Sequence, residues 1–189
     1  DIIICTTKNK EDNKIVKIAK KNNLKFYRGN TLNVLSRMIN SIKKDNKIQL
    51  AIRVTGDDIL IDPEYLDKTI DLSIKTNSDY TTNKGIPSGC EVEIFTKRCL
   101  LDLNKYAIDP NGTEYLTNYI TDNPNEFKIS HLKIPKQFKK NFRLTIDTKN
   151  DFLVVKKILE HFKNLNFSLR KLIAYCNKNK MLFKKYKQI

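Results

Sequence analysis

Ala51-Ile52-Arg53-Val54-Thr55-Gly56-Asp57-Asp58-Ile59-Leu60-Ile61-Asp62-Pro63 is the stretch on which the reading of this chain turns. Leu50, Ile52 and Val54 alternate as one face of a buried strand does. Gly56 is placed for a sharp backbone exit, with no Cβ to obstruct a ligand. Two carboxylates, Asp57 and Asp58, follow at once. In an open α/β sheet, ligands bind just outside the carboxyl ends of the strands, and an Asp there can hold a divalent cation that in turn holds a phosphate. A strand, a turn and a solvated acidic loop fit the same residues equally well, because Gly-Asp-Asp alone is a short motif. Asp62-Pro63 then opens a helix, with Asp62 as N-cap and Pro63 in the first helical position.

Before this stretch the pattern is strand, helix, strand, helix. Residues 2–5, Ile-Ile-Ile-Cys, read as a short buried strand. Residues 11–22 predict a helix with Ile15, Val16, Ile18 and Ala19 on its inner face. Residues 24–27 predict the second strand, residues 28–30 a turn, and residues 31–44 a second helix. After Pro63, inward-facing Tyr65, Leu66, Ile70 and Ile74 predict a third helix. Alternation of this kind is the mark of a doubly wound α/β layer. Further strands are expected near 79–83, 90–95, 127–134 and 142–146. Helices are expected over 96–107, 113–122, 149–163 and 168–177, with a strong turn at Asp109-Pro110-Asn111-Gly112. The basic tail is expected to fray.

Composition narrows the function classes. The chain has 189 residues, 40% of them apolar, enough for a core. No apolar run reaches the roughly 18–20 residues of a membrane helix. The short apolar N-terminus lacks a basic flank and a small-residue cleavage site, so it reads as a strand rather than a signal peptide. Cys5, Cys90, Cys99 and Cys176 form no C-x-x-C, and only His131 and His161 could join them. That pattern argues against zinc and fits a reducing cytoplasm. The net charge is +15, yet only six of the 36 basic residues are arginine, the residue that reads bases bidentately. The charge therefore reads as a lysine-coated surface that attracts anionic substrates, not as a nucleic-acid interface.

Two places deliver an Asp from the end of an apolar strand: Thr55-Gly56-Asp57 and Thr145-Ile146-Asp147. In one sheet, both carboxylates can face one cleft. With phosphate oxygens and water they would make an octahedral magnesium site. Asp147-Thr148 also suits a plain helix cap.

Taken together, these segments resemble the cytidylyltransferases of the spore-coat-polysaccharide type, related to the acylneuraminate and 3-deoxy-manno-octulosonate cytidylyltransferases. Arg28-Gly29-Asn30 with Asn33-Val34-Leu35-Ser36-Arg37 resembles the family's R-G and D-V-L-x-R. Residues 53–63 resemble R-V-T-G-D-x-P-L-I-D-P, with Ile59 in place of a common Pro. Pro87-x-Gly89 with Glu91-Val92-Glu93 resembles P-x-G-x-E-x-E. Thr113-Glu114-Tyr115-Leu116-Thr117 resembles R-E-H-V-T, with Tyr115 where the family has His. Arg143-Leu144-Thr145-Ile146-Asp147-Thr148-x-x-Asp151 resembles R-x-T-V-D-T-x-x-D.

The resemblance implies a three-layer α/β fold with a mixed, mostly parallel sheet of the nucleotide-diphospho-sugar transferase, GT-A-like, type, in one domain over residues 1–189. It implies CTP and an acidic sugar or related acid as substrates, CMP-sugar and pyrophosphate as products, and Mg2+ as cofactor. Asp57 and Asp147 match the family's metal-binding aspartates. Arg53, Thr55, Gly89, Glu91 and Glu114 fall where the substrate pocket is expected, while Arg37 fits helix packing better. A homodimer is the expected assembly. The family opens with a Gly/Arg/Lys-rich nucleotide loop, and residues 1–7 resemble its second strand, so about fifty preceding residues are expected to be absent from this chain. Two other readings remain: a non-catalytic scaffold of the same fold, and a GT-A glycosyltransferase.

Overall fold

A computed structural model describes residues 1–106 and 116–185, with the side chains of Leu116 and Lys185 set aside. The expected turn at 109–112 and the start of the helix at 113, with Glu114, lie outside the described residues. The chain divides into two compact units, each made of two segments: Asp1–Ala51 with Phe95–Lys128, and Ile52–Ile94 with Ile129–Ile189.

In the first unit, β1 (Ile3–Thr7) and β2 (Lys25–Gly29) pair in parallel, Ile3 opposite Lys25 and Thr7 opposite Gly29. Arg28 and Gly29 thus belong to the strand, not to a turn. A single 3-10 turn at Lys10–Asp12 leads into α1 (Asn13–Lys21). Only Ala19 of α1 is buried; Ile15 and Ile18 face outward, against expectation. A two-stranded sheet is too narrow to cover the whole apolar stripe of a helix. α2 (Val34–Ile42) starts later than its periodicity suggested, because the Asn33 side chain accepts from the Ser36 amide and sets the N-cap there. Leu35, Ile39 and Ile42 are its buried face. α4 (Lys97–Leu103), capped by Thr96, buries Cys99, Leu100 and Leu103, and α5 (Leu116–Asp122) buries Ile120. The Lys97 ammonium donates to the carbonyls of Lys43 and Asp45, satisfying acceptors that the end of α2 leaves open.

The second unit holds the larger sheet, in the order β3-β5-β4-β6, with β3 (Leu50–Arg53), β4 (Tyr80–Thr82), β5 (Glu93–Thr96) and β6 (Ile129–His131). β3 and β5 enter this unit by Ile52–Arg53 and Glu93–Ile94. β3 is an edge strand, which corrects its reading as buried: Ile52 and, just past the strand, Val54 are more than 40% exposed. β4 and β6 run parallel, Tyr80 opposite Ile129. Residues 142–146 form no regular strand. They are held by one bridge between Ser88 and Arg143 and by the Leu144 amide on the Ser88 carbonyl.

α3 (Pro63–Thr76) ends at Asn77, whose left-handed backbone closes the helix. Its buried stripe is Tyr65, Thr69 and Ser73, not Ile70 and Ile74. Thr69 can be buried because its hydroxyl donates to the Tyr65 carbonyl one turn back. The core of this unit gathers Leu60, Ile86, Cys90 and Leu144 with Val154, Val155 and Ile158 of α6 (Lys149–Phe162) and Leu172, Ile173 and Cys176 of α7 (Leu169–Lys178). The tail does not simply fray. α8 (Lys180–Lys185) buries Phe183 completely, and its ring lies 4.8 Å from that of Phe142.

Candidate active site

The loop that leaves β3 turns back on itself before it meets anything else. The Asp58 amide donates to the Thr55 carbonyl at 3.1 Å, and the Thr55 hydroxyl donates to the Asp58 carboxylate at 2.8 Å. Gly56 needs no special conformation here. Its φ is not positive and a Cβ on it would meet nothing within 4 Å. The turn is made by Thr55 and Asp58, a correction to the role expected of this glycine.

A second segment then clasps the loop. The Thr145 hydroxyl donates to the Asp57 carboxylate at 2.9 Å, and the Ile146 amide donates to the Asp57 carbonyl at 3.2 Å. Asp147 is the next residue along, so the two strand-end aspartates hang from loops that are hydrogen-bonded to each other. Burial pushes the Asp57 carboxyl up. The hydroxyls of Thr55 and Thr145, the local backbone amide and the Arg53 charge outweigh that, and it settles below the ordinary carboxylate value. Asp58 goes the other way: burial raises it beyond what the Thr55 hydroxyl offsets, and the adjacent Asp57 charge adds to the rise. The two neighbouring carboxyls are thereby shifted in opposite directions, and Asp57 is the more acidic.

The Asp147 carboxylate lies 2.6 Å from the Arg143 guanidinium, which also reaches Asp151 at 3.4 Å. Asp151 is 1% exposed and accepts from the amides of Asp147 and Thr148, while Thr148 caps its amide in return. This capping box starts α6 and fixes the backbone of Asp147. The capping role expected of the segment is therefore filled by Thr148 and Asp151, and the Asp147 side chain points elsewhere, to Arg143.

Gly89 is the hinge of the third strip. Its φ is +91°, and a Cβ there would sit 2.5 Å from the Thr145 nitrogen and 2.7 Å from the Leu144 carbonyl oxygen. Only glycine lets the 87–90 loop lie this close to the segment that carries Asp147. The Glu91 carboxylate accepts from the Gly85 amide at 2.9 Å, yet burial raises it above its ordinary value. Asn83, fully buried, accepts the Val92 amide on its side-chain oxygen at 2.7 Å, and the Thr82 hydroxyl donates to the Val92 carbonyl.

At the end of β3, the Arg53 guanidinium lies 2.6 Å from Glu93, and the Tyr80 hydroxyl donates to the other oxygen of the same carboxylate at 3.1 Å. This row ties β3, β5 and β4 together at the end of the strand that leads into the Asp57 loop. Sequence reading singled out Arg53 but not its partners. The Glu93 in the second E of P-x-G-x-E-x-E was the available signal, and nothing local marked Tyr80. Thr145 and Arg143 were also passed over, although both stand in the motif that carries Asp147.

Asp57, Thr55, Arg53, Gly89, Glu91 and Asp147 thus all belong to the second unit. Among the described residues no three His, Cys, Asp or Glu side chains form a ready-made metal cage. Two hard carboxylates on bonded loops, one of them made more acidic by its hydrogen bonds, are the donor type magnesium accepts when substrate phosphates and water complete the shell. No helix among the described residues is long and apolar enough to cross a membrane.

Comparison with known proteins bears on what these groups do. A family model described as cytidylyltransferase matches residues 1–189. An uncharacterized protein of Methanocaldococcus jannaschii is 37% identical over 180 residues, covering 95% of this chain and 74% of that protein. The spore coat polysaccharide biosynthesis protein SpsF of Bacillus subtilis is 31% identical over 183 residues, covering 95% of this chain and 76% of its own. A solved cytidylyltransferase from Leptospira borgpetersenii serovar Hardjo-bovis superposes with a TM-score of 0.87 at 30% identity, over 95% of this chain and 77% of that one. The α/β architecture is that of the nucleotide-sugar transferase type, and the chain belongs to the cytidylyltransferase family.

Proposed function

We propose that this chain carries the catalytic aspartates of a CTP-dependent nucleotidyltransferase, which joins CMP to an acidic sugar or related acid and releases pyrophosphate, in the service of surface polysaccharide synthesis. The observation that carries the reading is the clasp of the Asp57 loop by Thr145 and Ile146, which sets Asp57 and Asp147 on adjoining loops. Membership of the cytidylyltransferase family and similarity to a spore coat polysaccharide protein support the substrate class. Four free cysteines fit a cytoplasmic setting, where CTP is made.

In this reading a hydroxyl of the acid attacks the α-phosphorus of CTP and pyrophosphate leaves. Asp57 and Asp147 would hold the magnesium ion, whose role is to neutralise charge building on the phosphates. The chain's own work is positioning. Thr55 and Thr145 lower the Asp57 carboxyl, and the Thr145 hydroxyl fixes it in direction. The capping box holds the backbone of Asp147 at the start of α6, and Arg143 pairs with its carboxylate, in competition with a cation. The Glu93 pair anchors Arg53 at the strand end, and Gly89 lets the Glu91 loop close on the Asp147 segment. Pre-set groups of this kind lower a barrier because they need no rearrangement when charge develops.

The test is pyrophosphate release from CTP with magnesium and a panel of sugar acids, with UDP-sugars as a parallel arm. Turnover with CTP, falling at least 100-fold in both Asp57→Asn and Asp147→Asn, supports the proposal. Turnover with UDP-sugars alone would mark a glycosyltransferase. Calorimetry showing neither CTP nor UDP-sugar binding would mark a scaffold.

A further inference from the structure

One face of α6 is unaccounted for by the site. Phe152, Val155 and Leu159 follow one another along it at helical spacing, and Ile59 and Ile146 border them from the two clasped loops. Together they line a hollow of about 470 Å³ whose surface is almost wholly apolar. Phe152 is 52% exposed and Ile59 38% exposed, so the hollow opens to solvent. It is separate from the reaction cleft. None of Arg53, Asp57, Glu91 or Asp147 lines it. Ile146 packs toward the core, whereas its neighbours Thr145 and Asp147 direct their side chains to Asp57 and Arg143. A ligand in the hollow would therefore touch the two loops through Ile59 and Ile146, not through the aspartates.

Size and chemistry define what fits. Small-molecule sites run from about 300 to about 1,000 Å³, with mostly apolar walls and a few placed polar groups. Here the polar groups stand on one rim. Lys156 and Lys163 are two turns apart on the same flank of α6, and Glu160 lies between them. Glu160 is held by a residue outside the lining: Lys157 pairs with it at 2.9 Å, against 4.0 Å for Lys156. Lys163 pairs with no carboxylate among the described residues. Its backbone is left-handed, with a φ of +62°, so an ammonium is held where the turn alone would favour glycine. The rim is left with positive charge that its one carboxylate does not balance. We propose that the hollow binds a single-chain amphiphilic anion. Its aliphatic chain lies along Phe152, Val155 and Leu159 against Ile59 and Ile146, and its acidic head sits at the rim with Lys156 or Lys163. The stripe from Phe152 to Lys163 spans about 16 Å of helix, room for one chain with its head. An uncharged chain would leave the rim unused, and a cationic one would be repelled.

Methyl-resolved NMR of the full chain, titrated with decanoate, decyl phosphate and uncharged decanol, tests this. The two anions share a chain and differ in the head, so they separate a carboxylate ligand from a phosphate one. The expected result is saturable shifts of the Ile59, Ile146, Val155 and Leu159 methyls with at least one anion, and binding of decanol about tenfold weaker. Phe152→Ser should weaken the anion about fivefold with an unchanged circular dichroism spectrum, Phe152 being too exposed for its loss to open the core. Lys156→Gln combined with Lys163→Gln should weaken the anion about fivefold and leave decanol unchanged. No saturable shift, shifts spread evenly over the methyls of the chain, or decanol bound as tightly as the anions overturns the proposal. So do shifts of the same methyls that appear on concentrating the ligand-free chain, which give the face to a second copy, or only with anionic vesicles, which give it to a bilayer.

Discussion

Thr145 donates its hydroxyl to the Asp57 carboxylate at 2.9 Å across 88 positions of sequence. The bond does two things at once: it joins the two loops that carry the aspartates and it stabilises the charge on one of them. Thr145→Val keeps the shape and deletes the donor. The expected cost is about 1 kcal/mol in urea unfolding near neutral pH. The Asp57 carboxyl resonance should titrate at higher pH than in wild type. The sign follows from linkage. Asp57 sits below its unfolded value near 3.8, so its stabilisation is complete above that value and is lost as pH falls through the lowered one. The gap between wild type and variant should therefore be widest near neutrality and shrink in acid. A constant gap down to pH 2 would contradict it.

Two glycines in the motifs make opposite predictions. Gly89→Ala forces a Cβ into the backbone of residues 144 and 145 at a φ of +91°. It should cost about 2–4 kcal/mol, combining overpacking with left-handed strain. Gly56→Ala meets nothing within 4 Å, and its effect should stay within about 0.5 kcal/mol, the range of ordinary surface changes. Paired thermal melts decide the matter, and similar losses at both positions would refute this reading of the two turns.

Asp62 caps α3 and also serves the first amide of α7, whose own N-cap is Ser168. One oxygen accepts the Tyr65 amide at the start of α3, and the other accepts the Leu169 amide at the start of α7 at 2.5 Å. The residue is 4% exposed, so neither amide would find water if the acceptor were removed. Asp62→Ala should cost about 2–4 kcal/mol, the sum of one cap and one further buried hydrogen bond. Asp62→Asn can serve only one amide, since its nitrogen faces the other, and should fall between. Equal stability of the Asn variant and wild type in chemical denaturation would show that one of the two bonds contributes nothing.

How much of this was legible beforehand depends on the range of the interaction. The Asp62-Pro63 start of α3, and the Thr148 start of α6 were readable because a cap and its helix are neighbours in sequence. The order of strands and helices followed from apolar period for the same reason. Ile52, Val54, Ile18 and Ile74 were misread as buried because period reports which face is apolar, not whether anything covers it. Thr69 and Ser73, polar by composition, line the buried face of α3. The hold of Thr145 on Asp57 and the row Tyr80, Glu93 and Arg53 are contacts between distant segments. No local signal marks such contacts, and motif resemblance found one residue of each. Phe183 was lost in a basic tail whose charge masked a single core anchor.

Glu91 gives a pH dependence of the opposite kind. Burial lifts its carboxyl above the ordinary value near 4.5, with the Gly85 amide only partly offsetting the rise. The folded chain thus holds this proton more tightly than the unfolded one. Stability should fall as pH rises from 4.5 through the raised value, then level off. Glu91→Gln keeps an oxygen for the Gly85 amide and removes the charge, so it should flatten that slope and leave the protein no less stable at pH 7. Urea midpoints between pH 4 and 8 would show it. A variant that is less stable at pH 7 would mean the charge is favourable where it stands.

Arg143 separates stability from catalysis. Its guanidinium lies 2.6 Å from Asp147, but both side chains are nearly half exposed, so solvent screens the pair to about 0.2–1 kcal/mol. Asp151, its second contact, is already satisfied by the amides of Asp147 and Thr148. Arg143→Ala should therefore leave the melting temperature within a few degrees of wild type. The carboxylate of Asp147, relieved of its partner, becomes a better ligand for a cation. If Asp147 binds magnesium as proposed, the half-saturating magnesium concentration for pyrophosphate release should drop by up to about fivefold, the same energy read as affinity. A magnesium requirement unchanged by Arg143→Ala but abolished in Asp57→Asn would place the cation on Asp57 alone, and the two-aspartate site would have to be given up.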